Sequence, residues 1–384
     1  MPPPANGIPD PRLFGESRRY DLRRSNGPTP FNRRLVTPDT FRVGLCLPMR
    51  GTAGIWGPSC LASAQLGQAE LNRLSGIAGR ECELRLIDVS HELPDIEDTV
   101  SDLIEAGEIE ALVGMSLSSV RRRILRATGG RIPFVYTVHH EGGDTTPSLF
   151  AIAETTPLQL PPSIAWLSAH SHARRWMLVG NDYIYPWVTH GIARASIACT
   201  SDAVVGEMYL PFGVNDYSEV IDRIRRSRAD AVLISLIGQD AVEFNRAFGY
   251  AGLCSKVLRL SGTIEENQLL AIGAENTENL HVALGYFSTL DTDANRSFKE
   301  RYYGHFGDRA PTHNSIGQSV YEGMHFLAAL VDAAQRQEVP PCSAQWPIGY
   351  ANARRPAGAA AKIGRPAVYL AVAEGLSFRV LTRF

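Results

Sequence analysis

Lysine is nearly absent from this chain of 384 residues: Lys256, Lys299 and Lys362 are the only three, against 38 lysines and arginines together. None of them follows a Gly-x-x-x-x-Gly run, which excludes a phosphate-binding loop of the kind that uses a lysine on the β- and γ-phosphates. Also missing are a zinc-ligand signature, a Rossmann glycine set and a Gly-x-Ser-x-Gly elbow; Gly114-Met115-Ser116-Leu117-Ser118 only approaches the last. An enzyme is therefore not expected, nor a cofactor or a metal. The pair His139 and His140 lacks both helical spacing and an acidic partner set. The six cysteines fall singly at 46, 60, 82, 199, 254 and 342, with no Cys-x-x-Cys pair. They read as small hydrophobes in a reducing compartment.

The charge balance is equally uneventful. A net charge of −2 with no extended basic face excludes nucleic acid as the main partner. Near the start, Ser17-Arg18-Arg19-Tyr20-Asp21-Leu22 has the look of a twin-arginine export signal, but Arg23-Arg24-Ser25-Asn26-Gly27-Pro28 follows where an apolar stretch belongs. The expectation is a cytoplasmic protein with no membrane partner, and an extended or mobile arm over residues 1–40.

What is present is alternation. At this length two α/β lobes are the expectation. Apolar runs predict strands at 41–47, 82–89, 111–113 and 133–136, separated by helices at 58–74, 99–106 and 121–127, with a loop at 139–147. A second series follows Pro161-Pro162: helix 163–170, then strands 175–180, 203–209, 230–236 and 257–260 with helices 187–198, 217–226 and 240–251 between them. Strands alternating with helices predict parallel sheets. Val368–Ala373 and Ser377–Leu381 around Glu374-Gly375 read as a closing hairpin.

In such sheets ligands bind past the carboxyl ends of the strands. Asn181-Asp182-Tyr183-Ile184-Tyr185-Pro186 stands there, straight after Trp176–Gly180. Alternation in an extended segment would put Tyr183 and Tyr185 on one side, two flat amphipathic rings over one small molecule; two core tyrosines capping a strand is the other reading.

Four segments carry a family resemblance: Val179–Pro186; Met208-Tyr209-Leu210-Pro211; Arg225-x-x-Arg228-Ala229-Asp230-Ala231-Val232; and Tyr286–Thr292. From about Phe41 to about Ala334 the chain resembles the AmiC-like receptors of aliphatic-amidase operons, which group with the urea- and branched-chain amino-acid-binding proteins. The resemblance implies the α/β type I periplasmic-binding-protein fold: two Rossmann-like lobes with parallel sheets and a three-stranded hinge. It implies a first lobe of residues 41–155 and 287–340, and a second of 156–286 and 341–384.

The resemblance also implies a site. Ser118 matches the serine that contacts the amide in those receptors, and Ser116 takes the place of an aromatic residue. In the family pattern Tyr-Pro-Thr/Val-x-Tyr-Glu-Gly, Tyr136, Glu141 and Gly142 match, Val138 takes the urea-binder option, and His140 replaces a tyrosine. Tyr183 and Tyr185, Gly238 after one strand and Thr263 after another complete the predicted ligand set. Trp56 walls the cleft or packs within the lobe. Glu265 and Glu266 read as a helix start, and either one pointing into the cleft would favour an amino-acid ligand. The implied function is a cytoplasmic receptor for a short-chain amide, urea or similar molecule, controlling a partner antiterminator of an amidase or nitrile-degradation operon by opening and closing. The alternative is a substrate-binding protein of an ABC importer for urea, amides or branched-chain amino acids. A homo-oligomer is the family-level expectation. For a ligand of four heavy atoms such as acetamide, about 1.5 kcal/mol per atom limits binding to roughly −6 kcal/mol, a Kd on the order of tens of micromolar.

Overall fold

A computed structural model describes residues 39–336, 347–348, 361–362 and 366–384. Residues 1–38, most of the arm expected from the sequence, lie outside the described residues, as does Cys342.

The first sheet is fully parallel, in the order β2-β1-β3-β4-β5. Its strands are β1 (Thr40–Leu47), β2 (Glu81–Asp88), β3 (Ala111–Gly114), β4 (Phe134–Tyr136) and β5 (Leu149–Ala151). Central strands of such a sheet are covered on both faces, which is why β1 and β3 read as nearly unbroken apolar runs. Register runs Val43 to Ala111 and Leu45 to Val113, then Leu112 to Phe134 and Phe134 to Leu149. The helices between them are α1 (Gly57–Leu74), α2 (Ile96–Glu105) and α3 (Ser118–Thr128). Pro58 sits in the first turn of α1, where its missing N–H costs nothing.

The second sheet has the order β14-β13-β10-β9-β8-β6-β7. Here α4 (Thr156–His170), β6 (Arg175–Asn181), α5 (Ile184–Ile197), β7 (Ala203–Leu210), α6 (Ser218–Arg226), β8 (Ala231–Ser235), α7 (Gly238–Tyr250), β9 (Leu258–Ser261), α8 (Glu266–Ile272) and β10 (Leu280–Leu284) follow in turn. The chain then returns to the first lobe as α9 (Asp293–Phe306) and α10 (Ser315–Gln335). After the short pair β11 (Pro347–Ile348) and β12 (Ala361–Lys362), the hairpin β13 (Tyr369–Glu374) and β14 (Ser377–Arg383) adds antiparallel to β10. No helix among the described residues is long and apolar enough to cross a membrane.

Helix α10 buries Val320, Met324, Leu327 and Leu330 in the same core as β1, β3 and β4. Two crossings between the lobes are visible, at 152–155 and at 285–292. They are tied together: the Gly285 amide donates to Glu154 Oε1 at 2.6 Å, and Gln159 Nε2 donates to the Ala283 carbonyl at 3.0 Å. The third crossing follows α10 and lies partly outside the described residues.

Three differences from the sequence reading have physical causes. Helix α4 starts at Thr156 and runs through Pro161 and Pro162. Leu160, Ile164 and Leu167 pack on Trp176 and Leu178, and that burial outweighs the two prolines. Strand β5, three residues long, and strand β10 were not anticipated, and β5 in particular carries too few residues to show a period. Cys199 is exposed, while Cys46, Cys60, Cys82 and Cys254 are buried.

Candidate functional site

The carboxyl ends of β3, β4, β6 and β8 face one another across the two lobes. Between them lies a cavity of about 30 Å³. From the first lobe it is lined by Ser116, Ser118, Tyr136 and Val138, and from the second by Tyr183 and Tyr185. Trp56, Met115, Leu117, His139, Ile237 and Ile316 complete the wall. Ordinary ligand pockets run to about 300–1,000 Å³, so an organic ligand enters this one only when the lobes part. A larger groove of about 610 Å³ is built entirely from residues 288–303 and is open to solvent, so lobe movement would not enclose it.

Two of the residues that line the cavity carry buried polar atoms without hydrogen-bond partners. Trp56 is 2% exposed, and its indole Nε1 has no hydrogen-bond partner; the same holds for Ser116 Oγ at 3% exposure. An indole N–H can only donate. Helix α3 begins at Ser118, and its first-turn amides have no intrahelical acceptor. Donors of this kind suit a carbonyl-type oxygen better than an ammonium. The rest of the wall is apolar or aromatic, with the Tyr183 and Tyr185 rings 6.4 Å apart and the His139 ring 5.7 Å from Tyr185.

Beneath the cavity is a buried ionic network. Arg121, one turn on from Ser118 in α3, donates through Nη2 to Glu141 Oε1 at 2.9 Å, and its Nε lies 3.3 Å from Asp144 Oδ2. Ser118 Oγ donates to the other oxygen of Glu141 at 2.7 Å. The guanidinium lies over the Tyr136 ring at 4.9 Å, and Tyr136 OH donates to the Ser116 carbonyl at 2.6 Å. Burial pushes the Glu141 carboxyl up, but Arg121, backbone bonding, Ser118 and His140 outweigh it and hold the group below its ordinary value. Burial, reinforced by Arg121, pushes His140 down to about 4, so it is neutral at pH 7. Burial raises the Tyr136 phenol to about 12 and raises Tyr183 and Tyr185 as well.

Two predicted ligand residues stand elsewhere. Gly238 has φ +52°, and a Cβ there would lie 2.0 Å from the Thr52 carbonyl oxygen. Its place is in the docking of the lobes, where the next amide, Gln239, donates to that same oxygen at 2.9 Å. Thr263 turns inward, its hydroxyl donating to the Leu236 carbonyl at 3.0 Å. Tyr183 and Tyr185 do meet, but not by strand alternation: β6 ends at Asn181, Tyr183 is the residue before α5, and Tyr185 is in its first turn. Neither glutamate that would have pointed to an amino-acid ligand lines the cavity. Glu265 caps α8 and accepts from the Ile316 amide at 3.1 Å, while Glu266 accepts from the Ser288 amide at 2.7 Å.

Sequence reading left Trp56 undecided, weighed His139 only as a metal ligand, and missed Arg121, Ile237 and Ile316. The arginine carried one local signal, its spacing of three from Ser118 at a strand-to-helix junction. Among the described residues no group of three or more histidine, cysteine or acidic side chains is placed to hold a metal.

Comparison with known proteins adds the following. Residues 40–344 match the family model described as periplasmic binding protein. The Leu/Ile/Val-binding protein homolog 6 of Brucella melitensis is 25% identical over 309 residues, covering 77% of this chain and 76% of its own. Among solved structures, a solute-binding protein of an ABC transporter from Rhodopseudomonas palustris, in complex with p-hydroxybenzoic acid, superposes with a TM-score of 0.78 at 17% identity over 90% of this chain and 97% of that one. A branched-chain amino acid transporter substrate-binding protein from Streptococcus pneumoniae, in complex with isoleucine, gives 0.74 at 15% identity over 90% and 98%.

Proposed function

The chain belongs to the periplasmic binding protein family, with the type I fold, and from that premise we propose that it is a solute-binding protein whose lobes close over one small molecule. The proposed role is the substrate-binding component of an ABC importer. The observation that carries the ligand reading is the small interlobe cavity lined from both lobes, by Ser116, Ser118 and Tyr136 on one side and Tyr183 and Tyr185 on the other, with the indole N–H of the lining residue Trp56 buried and without a hydrogen-bond partner. A buried donor left unmet costs about 1–3 kcal/mol, and a ligand oxygen that accepts from it recovers that cost only when the lobes are shut. Closure and binding are then one event, and the ligand shifts the open and closed populations by its difference in affinity for them. The ligand class proposed is a small molecule with a carbonyl-type head and an apolar or aromatic body. Relatives of this fold that were solved with p-hydroxybenzoic acid and isoleucine support a ligand of that size.

A second reading keeps the same switch in another setting. The four segments that resemble amide receptors favour a cytoplasmic sensor of an amide or urea, acting on an antiterminator protein. Fractionation of native cells separates the two: protein found outside the cytoplasmic membrane supports the importer, and cytoplasmic protein that co-purifies with a regulator supports the sensor. The ligand reading is tested by calorimetric titration of protein unfolded and refolded to strip carried-over ligand, against short amides, urea, aromatic and aliphatic acids, leucine and valine. Binding that survives Tyr183→Ala unchanged, or no binding across the panel, would sink it.

A further inference from the structure

His91 and Phe212 meet across the cleft, one from each lobe, with ring centroids 4.4 Å apart. Neither lines the cavity. His91 stands in the loop after β2 and Phe212 in the loop after β7, and these are edge strands of their two sheets. The crossings at 152–155 and 285–292 leave from β5 and β10. In each sheet four strand spacings separate crossing from edge, β5 to β2 and β10 to β7, a lever of about 19 Å at about 4.8 Å per strand. Rotation about the crossings therefore parts His91 from Phe212 further than it parts groups on the strands nearer the hinge.

Both rings are carried on held loops. The amide of Gly213, next to Phe212, donates to the two carboxylate oxygens of Asp240 at 3.1 and 3.2 Å, and Asn181 Nδ2 donates to Asp240 Oδ2 at 2.6 Å. On the other lobe Ser90 Oγ accepts from the amides of Met49 and Arg50 at 3.2 and 3.1 Å, which ties the His91 loop to the loop after β1. Each ring thus moves with its own lobe. Phe212 also lies 5.2 Å from the ring of Tyr183, which lines the cavity, and both pack against the hydrophobic cluster of the first lobe.

We propose that His91 and Phe212 form an interlobe latch at the mouth of the cleft, which sets how long a bound molecule is retained without selecting which molecule it is. The inference rests on the solute-binding reading above. Parting the rings forfeits one aromatic contact and exposes apolar surface that the closed form covers. Because the pair touches the opposite lobe and not the cavity, it scales the retention of every ligand alike and leaves their ratios unchanged.

The test compares the unaltered full chain at pH 7 with Phe212→Ala, His91→Ala and His91→Phe. The last keeps a ring and loses only the 3.1 Å pairing of Nδ1 with Glu92 Oε1. Release of leucine, p-hydroxybenzoate and butyramide is followed by stopped-flow tryptophan fluorescence, Trp56 standing in the cavity wall. Each alanine variant should speed release about tenfold, the equivalent of about 1.4 kcal/mol, by one factor for every probe that binds. His91→Phe should keep the slow release. Solution scattering of ligand-free protein should give a larger radius of gyration for both alanine variants. Should Phe212→Ala fail to fold, His91→Ala carries the test from the other lobe. Release rates and radii equal to those of the unaltered protein, or a factor that differs from probe to probe, overturn the latch while the cleft stands. If no probe binds, the solute-binding reading falls, and the scattering comparison alone decides whether the lobes are latched.

Discussion

Glu154 and Gly285 lie on different crossings between the two lobes, and the backbone amide of Gly285 donates to the Glu154 carboxylate at 2.6 Å. Glu154 is 1% exposed, so this bond joins two hinge segments inside the protein. A Cβ at position 285 would lie 2.4 Å from Glu154 Oε2, closer than any real contact. Gly285→Ala should displace the carboxylate and destabilise the fold by about 1–3 kcal/mol, read as a lower denaturant midpoint. An unchanged midpoint would mean that the crossings are not held by this pair.

Trp56→Phe retains the ring and deletes the N–H. Ligand-free protein should lose no stability, since the donor removed has no partner there, whereas ligand affinity should fall about tenfold. Thermal melts with and without ligand separate the two effects; a fall in the ligand-free melting temperature would show that the indole N–H is already satisfied.

Lobe docking can be weakened without touching the cavity. At Gly238 a side chain meets the Thr52 backbone, at 2.0 Å from its carbonyl oxygen, and backbone cannot rotate away. Gly238→Ala is expected to bias the protein toward the open form, lowering ligand affinity and enlarging the radius of gyration in ligand-saturated solution scattering. Affinity equal to that of the unaltered protein would remove this contact from the closing mechanism.

The packing of α1, α9 and α10 should respond to acid. Burial pushes the Glu70 carboxyl up, but bonds from His325, Tyr321 and Arg301 outweigh it and bring it from its ordinary 4.5 to about 2. A carboxyl depressed in the folded state binds fewer protons there than in the unfolded chain. Its stabilisation is therefore complete above pH 4.5 and is lost as pH falls from 4.5 through about 2. Glu70→Gln should reduce the dependence of stability on pH in that window, in urea melts from pH 5 to pH 2, and leave the slope above pH 6 unaltered.

Most of the architecture was legible because it is local. Apolar runs bounded by turn residues placed β1, α1, β6, β7 and the closing hairpin within one or two residues of their observed limits. The strand-to-helix junctions at Gly114–Ser118 and at Asn181–Tyr185 stood out for the same reason. Helix α4 was misjudged at Pro161 and Pro162, where the decisive contacts come from Trp176 and Leu178 on the next strand.

By itself, then, the sequence determined two alternating α/β lobes and the segments that end at the cleft, since strand and helix periods are written in neighbouring residues. Which side chains of those segments share the cavity was decided only by tertiary structure. Trp56 joins it because the loop at Thr52 docks on Gln239; Glu265 leaves it for the Ile316 amide; Glu141 reaches it only through Ser118. Each of these pairs is more than twenty residues apart in the chain, and no local pattern encodes which donor a buried carboxylate will find.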